Sequence, residues 1–328
     1  MIMVVVGHTQ FVALGRPTIS SFCQAPLDLS VRCLIQFICL PCVNIFILIS
    51  GYFGIHPKLK GFLNLVFQVI FFSAICYAIL IISGHARVTI KGIAEIFGLT
   101  SAFWFFKSYL LLYLLSPVLN SFSDNASKKQ FTIVLVSFFA FQTIFGWYLH
   151  TAHFFCTGMS TISFIGLYLL GRFISIYRPH FSQYNRFCYL ALFFLLVMSL
   201  LLVTMVLPHF LSVTQEKLYA NLVLPLGYYS SPIVIVQVVS LFLFFSSLNF
   251  SSKRINRVAS CCFAIYLLHQ RSDFIPIWTS FLNNLHNTHS LFSFYSILIG
   301  IIILYLLSCY IIDSFRLLLW KRVSRNIA

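Results

Sequence analysis

Residues 62–83 read FLNLVFQVIFFSAICYAILIIS, 22 positions with no charged side chain, set between Lys60 on one side and His85 and Arg87 on the other. At about 1.5 Å per residue a helix of that length reaches roughly 33 Å, enough for a bilayer core of about 30 Å. Runs of similar character recur along the whole chain. Of 328 residues, 60% are hydrophobic, 18% aromatic and 8% charged, whereas a soluble domain carries about 25% charged residues. The class that follows is an all-α polytopic membrane protein, with residues 1–328 as one domain. A β-barrel would show apolar and polar residues alternating over about 10 positions, and these runs do not.

Working outward from that stretch, ten apolar segments emerge, at about 1–14, 34–53, 62–83, 102–122, 131–149, 155–177, 187–207, 228–248, 255–274 and 293–314. A loop is expected at 15–33, and a basic amphipathic tail, RLLLWKRVSR, occupies 316–325. The net charge of +15 belongs to topology, not to nucleic-acid binding, because Lys and Arg accumulate in cytoplasmic loops. The even-numbered loops, such as the one with Lys253, Arg254 and Arg257, hold 14 of the 21 basic residues together with the tail. The odd-numbered loops hold 6, and Lys107 lies inside the fourth segment. That asymmetry predicts ten spans with both termini cytoplasmic. The first segment, at 14 residues, reaches only about 21 Å, so a longer first helix starting upstream is expected. The ten cysteines lie mostly in apolar runs. Cys39 and Cys42 have CxxC spacing without a second pair, so small apolar filler is expected of them, with no disulfide framework and no metal.

Three polar points stand against the apolar background. His8 follows Gly7 in the first segment, Lys107 lies in the fourth and His269 near the end of the ninth. Ionisable groups at such depth pair with something or face a wet cavity. The plainer readings are headgroup-level histidines and a lysine that snorkels to the interface. Ser50-Gly51, near the end of the second segment, permits close backbone approach or a helix break. Only six acidic residues exist and none falls mid-segment, which disfavours a proton relay built on buried carboxylates. P-loop, GxSxG, HExxH and dinucleotide fingerprints are absent from the sequence. An enzyme built from this set would use a histidine base, cations and aromatics. Those tools suit group transfer from an anionic donor to a neutral hydroxyl.

Four stretches carry a family resemblance: VVVGHT around His8, NIFILISGYF at 44–53, FWFFKSYLLLYLLSPVLN at 103–120, and INRVASCCFAIYLLHQ at 255–270. In their order and spacing the chain resembles the acyltransferase-3 family of integral membrane acyltransferases, in particular the O-acetyltransferases of bacterial surface polysaccharides. The resemblance implies ten core helices in the inner membrane and acetyl-CoA as acyl donor, with no bound cofactor. It implies a lipid-linked or polymeric saccharide acceptor such as O-antigen, lipopolysaccharide or another exopolysaccharide. It places the catalytic histidine at His8 and matches Ser50, Gly51, Trp104, Lys107, Tyr113 and His269 to family motifs. Lys107 and Arg172 are candidate partners for CoA phosphates, and Trp104 and Tyr113 candidate pocket walls. The family's arginine about ten residues before the first-helix histidine would precede Met1. His8 as general base and His8 as acyl relay both remain open. A flippase for a lipid-linked sugar and a non-catalytic remnant of the family are the alternative readings.

Overall fold

The computed structural model describes residues 1–249 and 251–326, without the side chains of Arg254 and Asn326. Every element among them is helical. In chain order the α-helices are α1 (Ile2–Gly7), α2 (Ile19–Gln24), α3 (Pro26–Cys39), α4 (Cys42–Phe53), α5 (Leu59–Ile82), α6 (Ile90–Ile96), α7 (Trp104–Asn125), α8 (Lys128–Phe141), α9 (His153–Cys156), α10 (Thr161–Tyr177), α11 (Arg186–Val206), α12 (Glu216–Val223), α13 (Pro232–Ser246), α14 (Lys253–Ala259), α15 (Cys262–His269), α16 (Phe274–Thr288) and α17 (Leu291–Val323). Helix α1 continues without a break into a π-helical turn, His8–Ala13, and α8 into another, Gln142–Tyr148.

A helix lies at each of the ten apolar segments. Six helical stretches are long and apolar enough to cross a bilayer: Pro26–Phe53, Leu59–Ile82, Lys128–Tyr148, Arg186–His209, Val213–Ser246 and Leu291–Val323. Ile2–Ala13, Thr161–Tyr177 and Ile255–His269 are shorter apolar helices. The protein is therefore an all-helical, multi-pass membrane protein.

Three boundaries differ from the sequence reading. The expected loop at 15–33 is largely helical, because Thr18 and Ser21 form a capping box for α2 and Pro26 opens α3 at its first turn, where a missing N–H costs nothing. Pro41 then separates α3 from α4, since proline cannot donate to the preceding turn. The ninth segment stops at His269 instead of Phe274, and α16 follows, a helix the apolar pattern does not mark off. The side chain of Arg254, part of the basic loop counted above, lies outside the described residues.

The described residues fall into two compact units. The first comprises Met1–Gly15, Lys58–Lys107 and Ser251–Ala328; the second comprises Arg16–Pro57 and Ser108–Phe250. In the first, α15 packs against α1, α5 and α17, and α16 packs against the π turn at His8–Ala13. In the second, α4 and α10 make the most extensive contact, and α13 packs on both α4 and α11. A Cβ at Gly51 would collide with the backbone carbonyl of Tyr168, and one at Gly171 with the backbone of Leu48 and Tyr52. The two glycines thus let α4 and α10 touch backbone to backbone, the close approach that membrane helices reach through small residues.

Candidate active site

His8 stands where α1 passes into its π turn, and the turn is held on several sides. Leu14 N–H donates to Thr9 O, five residues back. Thr9 Oγ1 donates to Val6 O at 2.6 Å. Tyr295 Oη donates to Gln10 Oε1 at 3.1 Å, and Asn283 Nδ2 donates to Ala13 O at 3.0 Å. The last bond serves a carbonyl at a helix C-terminus, where no partner exists within the helix. Helices α16 and α17 therefore set the position of the turn that carries His8.

The His8 ring is only partly exposed and meets two buried groups of one short segment. Its Nδ1 lies 3.1 Å from His269 Nε2 and 2.8 Å from Gln270 Nε2, the nitrogen of the side-chain amide. The two imidazoles are 5.2 Å apart between centroids and inclined at 59°. His269 Nδ1 donates to Ile265 O of its own helix at 2.6 Å, and the same carbonyl accepts Tyr305 Oη at 2.7 Å. His8 Nε2 makes no hydrogen bond to a described residue, so one nitrogen is engaged and the other is open. Rings lead away from this pair. Tyr266 lies edge-on to His269 at 6.4 Å, Phe105 edge-on to Tyr266 at 5.5 Å, and Trp104 edge-on to Phe105 at 6.0 Å.

The segment after His269 is clamped by polar groups. Arg271 is fully buried, and its guanidinium donates to Ser73 Oγ at 2.7 Å, Gly92 O at 2.9 Å and Asp273 Oδ2 at 3.2 Å. It also lies 3.9 Å over the Tyr77 ring, a favourable place for a cation. Glu95, itself buried, accepts the Ser272 backbone N–H at 2.7 Å and its hydroxyl at 2.5 Å. Buried charges persist when paired and hydrogen-bonded in this way. The clamp explains why the ninth helix ends at His269: the chain turns there to bring Arg271 and Ser272 onto α5 and α6.

The sequence candidates thus separate into two groups. His8 and His269 come together in the first unit, which also holds Trp104 and Lys107. Trp104 opens α7, and Lys107 is exposed with its Nζ donating to Thr100 O at 2.5 Å. Ser50, Gly51, Tyr113 and Arg172 belong to the second unit. Ser50 Oγ bonds Phe46 O at 2.9 Å and lies 3.3 Å from Tyr109 Oη. Gly51 serves the contact with α10, and α4 runs through it unbroken. Tyr113 is half-buried in α7. Arg172 is held by Asp124 at 2.8 Å. Gln270 and Glu95 are not among the sequence candidates, although Gln270 closes the fourth resemblance stretch. Among the described residues no three His, Cys, Asp or Glu side chains gather as a metal-binding set.

What this pair can do chemically is proton transfer: an imidazole fixed at one nitrogen presents the other to a reacting group. A family model described as an acyltransferase domain matches residues 1–313, nearly the whole chain. No curated protein and no solved structure matches. With a match of that extent over an all-helical, membrane-spanning architecture, the chain belongs to the acyltransferase-3 family and is a membrane acyltransferase.

Proposed function

We propose that the protein moves an acetyl group from acetyl-CoA to a sugar hydroxyl of O-antigen or another surface polysaccharide, in the bacterial inner membrane. Ten helices would span the bilayer, with both termini cytoplasmic, as the distribution of Lys and Arg favours. The observation that carries the reading is His8 tethered at Nδ1 and open at Nε2. In the reaction His8 Nε2 takes the proton of the acceptor hydroxyl as its oxygen attacks the thioester carbonyl. The tetrahedral intermediate collapses, the C–S bond breaks, and the proton passes from His8 to the departing thiolate, giving the acetyl ester and CoA. The same nitrogen could instead carry the acetyl group as a relay. Lys107, exposed at the start of α7, suits the phosphates of the donor, and the rings from Trp104 to Tyr266 suit its apolar and planar parts.

The test compares strains expressing the wild-type chain and His8→Ala, with acetate released from the surface polysaccharide by mild alkali as the readout. Acetyl content is expected to fall by roughly 10²–10⁴-fold in transfer rate, the range for loss of a general base. Unchanged acetylation would remove His8 from the chemistry. A flippase would move saccharide with no consumption of acetyl-CoA, so thioester turnover coupled to acetylation separates the two activities.

A further inference from the structure

The polar contacts around His8 fix more than its position. A carbonyl oxygen carries no hydrogen, so the short contact between His269 Nδ1 and Ile265 O places a proton on Nδ1 of His269. In the neutral ring Nε2 then holds only a lone pair, and it faces His8 Nδ1 at 3.1 Å. Among the described residues neither imidazole bonds a carboxylate: Glu95 is engaged by Ser272, and Asp273 by Arg271. Among those residues nothing adjacent balances a resting imidazolium, and the pair is read as neutral. The contact is a hydrogen bond only if the proton sits on His8 Nδ1. That proton also decides the orientation of the Gln270 amide, which is placed with its Nε2 2.8 Å from His8 Nδ1 and has to be turned to accept. A half-turn of the terminal amide exchanges oxygen and nitrogen without moving anything else, and only the oxygen can accept.

We infer that His269 and Gln270 are positioning residues that jointly accept the Nδ1 proton of His8, locking the tautomer whose Nε2 lone pair faces the reacting hydroxyl. The inference rests on the acyl-transfer reading above and deepens it. When His8 takes a proton at Nε2, positive charge spreads to Nδ1–H, which His269 Nε2 and the turned Gln270 amide oxygen accept. The logic is that of the carboxylate behind a catalytic histidine, which sets tautomer and orientation without itself taking the proton. Here the acceptors are a second imidazole and an amide. They stay in register because Arg271 and Ser272 are anchored to α5 and α6.

The experiment uses the full-length protein in detergent or lipid. Nitrogen-15 NMR of histidine-labelled protein, with the His8 signals assigned by their loss in His8→Ala, reads the tautomer directly. The expected result is a protonated Nδ1 and a bare Nε2. A bare Nδ1 overturns the inference. The second arm measures transfer from radiolabelled acetyl-CoA in membranes containing the host's lipid-linked saccharide. Gln270→Glu, which keeps an acceptor, should retain activity, while Gln270→Met should lose it by ~10²-fold in kcat with the KM for acetyl-CoA unchanged. His269→Gln should recover part of what His269→Leu loses, since its amide oxygen can reach toward His8. If Gln270→Glu is as inactive as Gln270→Met, the amide donates to His8 and the assignment is wrong. If His8→Ala itself transfers at the wild-type rate, the acyl-transfer reading fails. If His8→Ala is dead while the His269 and Gln270 variants behave as wild type, only this inference fails.

Discussion

Arg271 and Arg172 each sit beside an aspartate, and the two surroundings could hardly differ more. Arg271 has no exposed surface; it reaches a hydroxyl, a backbone carbonyl, a carboxylate and a ring face. Arg172 is largely covered, but its partner Asp124 is 60% exposed at the side chain. Water and salt therefore screen the second pair, while nothing substitutes for the first. Sequence reading marks Arg172 as a candidate partner for CoA phosphates and does not place Arg271 among the site candidates. The structure gives Arg271 the wider architectural role: it holds the segment that carries both partners of His8.

The comparison can be broken by mutation. The largest effect is expected for Arg271→Leu, which strips the guanidinium from Ser73, Gly92 and Asp273. Removing one member of a buried network costs about 3 kcal/mol or more, and transfer should fall with it because His269 and Gln270 lose their anchor. Thermal unfolding in detergent together with acetyl transfer checks this, and a variant as stable as wild type would show that the clamp is dispensable. Arg271→Lys should restore little, since an ammonium cannot reproduce the planar fork.

Next in size is Gly171→Val, which forces side-chain atoms against the backbone of α4. About 1–3 kcal/mol of destabilisation is expected from such overpacking, read as a lowered midpoint in the same unfolding measurement. A neutral result would mean that the two helices can separate freely. Glu95→Gln keeps one acceptor for Ser272 but loses the charge. A loss of roughly 1–2 kcal/mol follows from charge-assisted bonds of this kind, with a matching drop in transfer if the clamp positions His269. The smallest effect belongs to Asp124→Asn, expected below about 1 kcal/mol and fading further at high salt. A large, salt-independent loss there would place Arg172 in the same class as Arg271.

Much of the architecture was legible because it rests on local apolarity. A helix lies at each of the ten apolar segments, although several of the basic residues counted as loop, such as Lys128, Lys129 and Arg172, lie inside helices. The breaks were harder to read. Pro41 divides what looks like one run with its approach, but the pattern of apolar residues continues across it. The end of the ninth helix depends on bonds from Arg271 to Ser73 and Gly92, about 180 to 200 residues away in sequence, and no window along the chain contains both sides. The same distance hides the site. His8 and His269 each stand out as polar residues in apolar surroundings, and the structure joins them. Gln270 does not stand out, being the uncharged neighbour of a more conspicuous histidine. Its role appears only once residue 8 is beside it. Ser50 and Gly51 were readable as a place of close approach, and Gly51 serves one, although no break accompanies it.

The π turn at His8–Ala13 has a consequence for insertion and deletion. A π turn houses one residue more than an α-helical turn over the same rise. Deleting one residue between Thr9 and Ala13 should therefore let the helix relax to α geometry with its far end nearly in place. The side chains beyond the deletion would keep their neighbours, and Asn283 its bond to the carbonyl of Ala13. The first helix carries within it a length reserve of a single residue, in the turn that begins at His8.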